Sequence, residues 1–114
     1  SSDAPPQVEQ VYLILLRKGP SWTPGESPEL ADLEMGHLAD LTSLGKSGLA
    51  ALAGPVEDRA DGTLRGINIM RAASFEVAVA LESADPAVKA GRVRVEAHPL
   101  WLMKGTLPAP TTGK

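Results

Sequence analysis

The sequence predicts a single α+β domain whose strands and helices follow the order β-α-β-β-α-β. Three observations carry this prediction: an alternating apolar segment at 8–18, a Ser-Pro-Glu helix start at 27–29, and an Asp-Gly turn at 61–62 between two short apolar segments. The chain has 114 residues, of which 43% are apolar. This length and this apolar fraction suit one domain with a hydrophobic core of its own.

The first strand is predicted from Val8 to Lys18, and it is apolar on both faces. The two alternating sets are Val11, Leu13 and Leu15 on one face and Tyr12, Ile14 and Leu16 on the other. A strand of this kind should be covered on both sides. A small domain usually has helices for only one face of its sheet, so the pattern predicts a homodimer in which two sheets pack face to face.

The first helix is predicted to begin after Ser27, where three residues favour a helix start. Ser27 is an N-cap, Pro28 suits the first turn, and Glu29 lies near the positive end of the helix dipole. One stripe recurs at spacings of three and four, namely Leu30, Leu33, His37, Leu41 and Leu44. We expect this helix to end near 45–48.

Three more strands and a second helix complete the predicted fold. The strands are expected at 49–56, 64–71 and 92–103. Ser74 should cap the second helix, which runs to about residue 83 and whose predicted inner face is Val77, Ala78 and Leu81. Asp85-Pro86 opens one further short turn, which Gly91 closes.

The order of the elements is that of the ferredoxin-like split βαβ topology. Right-handed crossovers then place the first and third strands in the centre of the sheet and the second and fourth at its edges. In the fourth strand Arg92, Arg94, Glu96 and His98 alternate with apolar residues, so one of its faces is polar. A half-polar strand suits the edge of a sheet.

Composition and charge argue against several classes of function. The net charge is −3 with no long basic run, which argues against nucleic-acid binding. No apolar run approaches the ~20 residues of a membrane span, so no membrane partner is expected. The chain has no cysteine, which excludes disulfides, thiolate metal ligands and cysteine nucleophiles.

The two ends of the chain differ in composition from the centre. We expect a flexible lead-in at 1–7, a domain at 8–104 and a flexible Pro/Thr-rich tail at 105–114. The polar start is typical of either a mature end left by signal-peptide cleavage or a boundary set during cloning. The expected localisation is therefore periplasmic or secreted in the first case and cytoplasmic otherwise.

Five short segments carry a resemblance to a known family. They are His37-Leu38, Gly48-Leu49 with Ala53-Gly54-Pro55, Asp61-Gly62 with Gly66, Asp85-Pro86 with Ala90-Gly91, and His98-Pro99-Leu100-Trp101. In this order and spacing the chain resembles, from about Tyr12 to Trp101, the YCII-related (YciI-like) domain family of the dimeric α+β barrel group. The resemblance implies a ferredoxin-like protomer that dimerises through its sheet, with an active site built on a His–Asp pair that maps to His37 and Asp85.

His37 and Asp85 each have a structural and a catalytic interpretation. An imidazole on an apolar helix stripe is either a half-buried side chain bonded to backbone or solvent, or a group that transfers protons near neutral pH. Asp85 suits the N-cap position before Pro86, and it could also hold His37 in one tautomer. Both roles of Asp85 can hold at once, because a carboxylate has two oxygens.

Other polar and aromatic residues are candidates for contact with a ligand. Trp22 could close a pocket as a lid, and Arg65 and Arg71 could bind an anion or form salt bridges at the ends of their strand. His98 could line the mouth of a pocket or lie solvated at the sheet edge. Trp101 is expected in the core or in the dimer interface. The sequence offers only weak support for a metal site of His37, His98 and Asp85.

The leading hypothesis is a YCII-like small-molecule enzyme of unknown substrate. His37 would act as general base or acid and Asp85 would orient it, in an elimination, isomerisation or hydrolysis. No cofactor is required by any visible motif. The alternatives are a non-catalytic dimeric module that binds a small ligand in the same pocket, and a purely structural dimer in which His37 fills core space.

Overall fold

The computed structural model describes residues 7–109, and the predictions for residues 1–6 and 110–114 lie outside the described part. Seven elements follow the predicted order: β1 Val8–Lys18, α1 Pro28–Lys46, β2 Ala50–Pro55, β3 Leu64–Met70, α2 Phe75–Ser83, α3 Pro86–Lys89 and β4 Val93–Met103. The predicted bounds of β1 agree residue for residue. The α+β fold class is confirmed.

The four strands form one antiparallel sheet in the order β2-β3-β1-β4. β1 pairs with β4 from Val8–Met103 to Lys18–Val93, and on its other side it pairs with β3. The central position of β1 and β3 and the edge position of β4 are as the crossover rule predicts. The arrangement is the ferredoxin-like one.

One face of the sheet packs against the helices and forms the core. The buried side chains that meet there come from β1, β3, β4 and all three helices: Tyr12, Ile14, Leu16, Leu44, Met70, Ala78, Ala87 and Val93. Burying a side chain such as Ile14 or Met70, which are both fully inaccessible, contributes roughly 1.5–3 kcal/mol. The core therefore fixes the sheet, α2 and α3 as one rigid support.

The predicted inner face of α2 needs one correction. Ala78 is fully buried, but Val77 is 42% exposed. The second buried residue of this helix is Glu82, one turn after Ala78. A carboxylic acid thus takes an inner position that the apolar pattern assigned to an aliphatic residue, and this places a titratable group beneath the helices.

α1 begins as predicted and is held away from the sheet over most of its length. The Ser27 hydroxyl accepts a hydrogen bond from the backbone N–H of Leu30 at 3.2 Å. Of the residues on the apolar stripe only Leu44, near the C-terminal end, is buried, while Leu33, His37 and Leu41 are half-buried. The middle of α1 therefore leaves a space between itself and the sheet.

The opposite face of the sheet carries apolar side chains with no helix over them in residues 7–109. Leu13, Leu15, Ile67 and Ile69 lie on this face and are half-buried. Arg71, directly after β3, donates a hydrogen bond to the carbonyl oxygen of Pro108 in the segment that follows β4. The homodimer predicted from this face stays a prediction.

No helix within the described range has both the length and the apolar character that crossing a bilayer requires.

Candidate active site

A cavity of about 410 Å³ lies between α1 and the helix-covered face of the sheet. Volumes of this size hold small molecules. Its floor consists of small or aliphatic residues on three strands: Leu16, Ala53, Pro55 and Gly66. Leu33, His37 and Leu41 line the wall formed by α1. The cavity is therefore mostly apolar, with one imidazole in its wall.

The structure brings His37 and Asp85 together as a hydrogen-bonded pair. His37 Nδ1 contacts Asp85 Oδ2, while Asp85 Oδ1 accepts a 2.8 Å hydrogen bond from the backbone N–H of Ala87. Asp85 is thus at once the N-cap of α3 and the partner of His37. The Asp85 side chain is fully buried, and that of His37 is 19% exposed. The carboxylate therefore contacts the imidazole from the protein interior.

The hydrogen bond to Asp85 determines which ring nitrogen of His37 is free. A carboxylate accepts, so Nδ1 carries the donated proton and Nε2 of the neutral ring has its lone pair available. Nε2 has no hydrogen-bond partner among residues 7–109. His37 lines the cavity, and Nε2 is therefore the atom that can exchange a proton with a bound molecule.

A close approach of α1 and α3 positions the pair. A Cβ atom on Gly36 would lie 3.0 Å from Cγ and 3.3 Å from Cβ of Pro86. Gly36 precedes His37, and Pro86 follows Asp85. The absence of a side chain at Gly36 therefore lets the two helices approach until the imidazole reaches the carboxylate.

The pKa of His37 is raised above its ordinary value of 6.5. The main cause is the hydrogen bond from its ring to Asp85, and the negative charges of Asp85 and Glu34 add to it. Burial of the ring lowers this pKa, but its effect is smaller than that of the hydrogen bond. The imidazolium form is therefore favoured, which makes the neutral ring a stronger base.

Two further acids lie beside Asp85, and the sequence reasoning missed both. One oxygen from each of Asp40, Glu82 and Asp85 lies within 4.8 Å of the others, a spacing at which carboxylates can hold a metal ion. Asn68 donates a 2.8 Å hydrogen bond to Glu82 Oε1, and Glu82 Oε2 has no partner within the described residues. Asp40 lies three residues after His37 on the predicted helix, a spacing that could have revealed it.

Burial favours the protonated form of Glu82. Its pKa is raised, first by desolvation and then by the negative charges of Asp85 and Asp40. The pKa of Asp40 is raised for the same two reasons, burial first and then Asp85. Holding a proton on Glu82 reduces the repulsion among three neighbouring carboxyl groups without a cation.

The remaining predicted site residues divide between the cavity and other places. Trp22 lines the cavity. Arg71 instead forms an ion pair with Glu9 at 2.9 Å, and it does not line this cavity. His98 lies on the opposite face of the sheet, where its Nε2 is 2.7 Å from Glu96, so His98 cannot share a metal ion with His37 and Asp85. Trp101 is 59% exposed and is not a core residue of this protomer.

The part of the cavity lining beside Trp22, here called its mouth, contains two arginines. Arg65 and Arg92 both line the cavity beside Trp22. The Cζ atoms of Arg92 and Arg65 lie 4.0 Å and 4.8 Å from the centroid of a Trp22 ring. The sequence indicates Arg65 as an anion-binding or salt-bridging candidate, whereas Arg92 carries no signal beyond its place in the alternating pattern of the strand predicted at 92–103.

Comparisons with known proteins agree with the fold. A model of the YCII-related domain family matches residues 11–100. A solved structure of 5-chloro-2-hydroxyhydroquinone dehydrochlorinase from Burkholderia phenoliruptrix AC1100, in complex with 2,5-dihydroxybenzoquinone, superposes with a TM-score of 0.55 at 24% identity. That alignment covers 76% of this chain and 90% of the other. No curated protein matches the chain.

Proposed function

Since the chain belongs to the YCII-related domain family, we propose that it is a small-molecule enzyme in which His37 transfers a proton and Asp85 orients it. The observation that carries the proposal is the pairing of His37 Nδ1 with the buried Asp85 on the wall of a cavity. An imidazole held in one tautomer, with its other nitrogen on a mostly apolar cavity, is suited to general acid–base chemistry.

The proposed chemistry needs only the residues of this chain. Neutral His37 accepts a proton at Nε2 from a C–H or O–H group of the substrate, or in a hydrolysis from the water molecule that attacks the substrate, and the resulting imidazolium is stabilised by Asp85. The same proton then passes to another carbon in an isomerisation, or to the departing group or solvent in an elimination or hydrolysis. A positioned acid–base group of this kind contributes on the order of 10²–10⁴-fold in rate.

The solved neighbour suggests the first compounds to examine. Its name states that it is a dehydrochlorinase, and its structure contains 2,5-dihydroxybenzoquinone. Removal of HCl from an organic molecule is one of the eliminations that a histidine base can begin. The identity of 24% supports the fold alone. Chlorinated hydroxyhydroquinones are therefore only the first compounds to test as substrates of this chain.

We also propose that the protein is a homodimer that associates through the outer face of its sheet. Leu13, Leu15, Ile67 and Ile69 give that face its apolar character, and no helix of residues 7–109 covers it. An apolar sheet face of this kind is stabilised when it is removed from water. The cavity beside His37 lies on the other face, so dimerisation leaves it within each protomer.

The experiment combines a turnover assay with a binding assay. Chloride release from chlorinated hydroxyhydroquinones and hydrogen–deuterium exchange at C–H groups of small ketones are followed by NMR, with 2,5-dihydroxybenzoquinone as the binding probe. We expect His37→Gln to abolish turnover and to bind the probe about as well as the wild type. Binding by the wild type without turnover of any compound would favour the ligand-binding module instead.

A further inference from the structure

We propose that the mouth of the cavity is an anion-binding subsite, so that the substrate is a small, flat organic molecule carrying a carboxylate or similar oxyanion held by Arg65 and Arg92. This inference names the substrate class of the proposed enzyme and rests on that proposed function. It follows from three features of the described residues. They are a group of cations without carboxylate partners, a loop whose backbone bonds hold this group in place, and acidic residues beside His37 in the same cavity.

The first feature is a group of cations around the Trp22 side chain. The Cζ atoms of Arg92 and Arg65 lie 4.0 Å and 4.8 Å from the centroid of a Trp22 ring, and Lys18 Nζ lies 5.4 Å from one. Cations attract the face of an aromatic ring, but they repel one another. None of these three forms an ion pair with a carboxylate within residues 7–109, although Arg17, Arg59 and Arg71 each do. An anion bound here would offset their repulsion.

The second feature is the backbone attachment of the Trp22 loop, residues 19–27, to the turn before β4. The N–H of Gly19 bonds to the carbonyl oxygen of Arg92, and the N–H of Ser21 bonds to that of Gly91, both at 2.8 Å. A Cβ atom on Gly19 would lie 2.3 Å from the Gly91 oxygen, so only glycine permits this contact. Trp22 and Arg92 are thus held on one backbone unit, and the subsite is formed before a ligand arrives.

A side-chain hydrogen bond fixes the guanidinium of Arg92 further. Arg92 donates from Nη1 to the carbonyl oxygen of Thr23 at 3.0 Å. The bond crosses from the residue before β4 to the Trp22 loop and leaves other guanidinium N–H groups to bind a ligand. Guanidinium groups match the planar geometry of a carboxylate, which favours this class of anion over a spherical ion.

The third feature is the group of acidic residues beside His37 in the same cavity. Glu34 lines the cavity on α1 beside His37, and Asp85 and Asp40 lie behind the imidazole. Arg65 and Arg92 line the mouth. A molecule with one anionic end is therefore oriented, because its charge is attracted to the arginines of the mouth and repelled by the acids beside His37. Its uncharged end is then the part that meets Nε2 of His37.

The flat shape follows from the residues between the two ends. Ala53, Gly54 and Gly66 line the cavity, and a Cβ on Gly66 would lie 3.3 Å from the Gly54 carbonyl oxygen. These small residues leave a space bounded by backbone on the sheet side and by leucines of α1 on the other. A planar ring fits such a space and can stack beside Trp22.

The test compares two probes of nearly the same shape and different charge. Benzoate and benzamide are titrated into the full-length protein, and their dissociation constants are measured from NMR shifts of the Trp22 loop and of His37. We expect the wild type to bind benzoate about tenfold more tightly, since a hydrogen bond to a charged group contributes roughly 1.5–3 kcal/mol. We expect added salt to reduce this preference.

Variants test whether Arg65 and Arg92 cause the preference for benzoate over benzamide. The double variant Arg65→Gln with Arg92→Gln should bind the two probes equally, while Arg94→Gln, at an exposed residue outside the cavity, should keep the wild-type ratio. Thermal unfolding checks that each variant folds, and the single variant Arg65→Gln, at an exposed side chain, serves if the double variant does not. A single variant is expected to lose part of the preference.

Three results would overturn the inference: equal affinity of the wild type for both probes, no binding of either, or an undiminished preference in the arginine variants. The outcome is separable from that for the proposed function. A benzoate preference that depends on the arginines, together with turnover indifferent to His37→Gln, would remove the enzyme and leave the anion subsite. The reverse pattern would remove only the subsite.

Discussion

Asp85 serves two neighbours with its two oxygens, and a substitution can separate these roles. Asparagine keeps an oxygen for the N–H of Ala87 and is a good N-cap, but it removes the negative charge beside His37. We expect Asp85→Asn to lower the pKa of His37 toward 6.5 or below, because the main cause of its elevation is lost. Any turnover should fall on the order of 10²–10⁴-fold.

The pKa of His37 in this variant is measured by NMR titration of its ring protons. Asp32→Asn, at an exposed residue on α1, is the matched control and should leave the titration unchanged. Asp85→Ala should show the same fall and should in addition lose about 1 kcal/mol of stability with the cap. An unaltered His37 titration in Asp85→Asn would mean that the carboxylate does not govern the imidazole.

Glu82 makes stability depend on pH, and the sign follows from its raised pKa. Below pH 4.5, the ordinary value for glutamate, the folded and unfolded chains both keep this proton. Above 4.5 the unfolded chain releases the proton while the folded chain still holds it, so stability falls as pH rises until the folded pKa is passed. Glu82→Gln has no proton to release and should lack this loss.

We therefore expect Glu82→Gln to gain stability relative to the wild type as pH rises from 4 to 7. The glutamine keeps an acceptor for Asn68 and adds an N–H donor toward the neighbouring carboxylates, so the gain at pH 7 should be roughly 1 kcal/mol. Urea unfolding at several pH values measures the difference. Glu76→Gln, on the exposed side of α2, should show no such trend. A constant difference across this range would contradict the buried-acid interpretation.

At the same scale, the residues that sequence could predict are those with a local signal. Ser27, Ser74 and Asp85 precede helix starts, and His37 interrupts an apolar stripe, so each is visible within one turn of chain. Glu82 and Asn68 carry no such signal, because their contact joins α2 to β3 across 14 residues and depends on packing. Arg92 likewise matters only because the Trp22 loop folds onto it.

Among the elements, α1 and α3 determine whether the His37–Asp85 pair forms. Gly36→Ala should favour the helix, since alanine has a propensity advantage of about 1 kcal/mol over glycine. The new Cβ would however meet the ring of Pro86 at 3.0 Å, and a proline ring cannot turn aside. We expect α1 to shift away from α3, the pKa of His37 to fall, and overall stability to change little.

Gly45→Ala on the same helix is the matched control. A Cβ atom at Gly45 would have no neighbour within 4 Å, so this variant should gain the helix propensity and keep the His37 titration of the wild type. NMR titration of His37 and urea unfolding are measured on both variants. If Gly36→Ala kept the elevated His37 pKa, the close approach of the two helices would not be what positions the imidazole.

The element bounds and the strand order could be predicted, but the cavity could not. Alternation in β1 and the caps of α1 and α2 are local, and crossover handedness then fixes the sheet order. The apolar stripe of α1 predicts burial along its whole length, whereas only Leu44 is buried. The gap under the middle of α1 depends on the small residues of β2 and β3 opposite it, and helix periodicity does not report on them.

At the scale of the whole molecule, the two faces of the sheet have different relations to water. The helix face contains the core and is covered by the helices. On the outer face, Leu13, Leu15, Ile67 and Ile69 have no helix over them in residues 7–109. Stable dimers bury about 800 Å² on each partner. A four-stranded sheet face can supply that area, which is why the alternation in β1 alone predicts a second copy.

We expect the wild type to sediment as a dimer at micromolar concentration and Leu15→Glu to sediment as a monomer. Leu15 lies in the central strand on the outer face, opposite Ile67 and Glu96, so a carboxylate there would place a second negative charge beside Glu96 in the dimer interface. Met35→Glu is the matched control, because Met35 is 70% exposed on α1 and faces away from this surface. Analytical ultracentrifugation reads the mass directly. A monomeric wild type, or a Leu15→Glu variant that stays dimeric, would assign the apolar sheet face some role other than self-association.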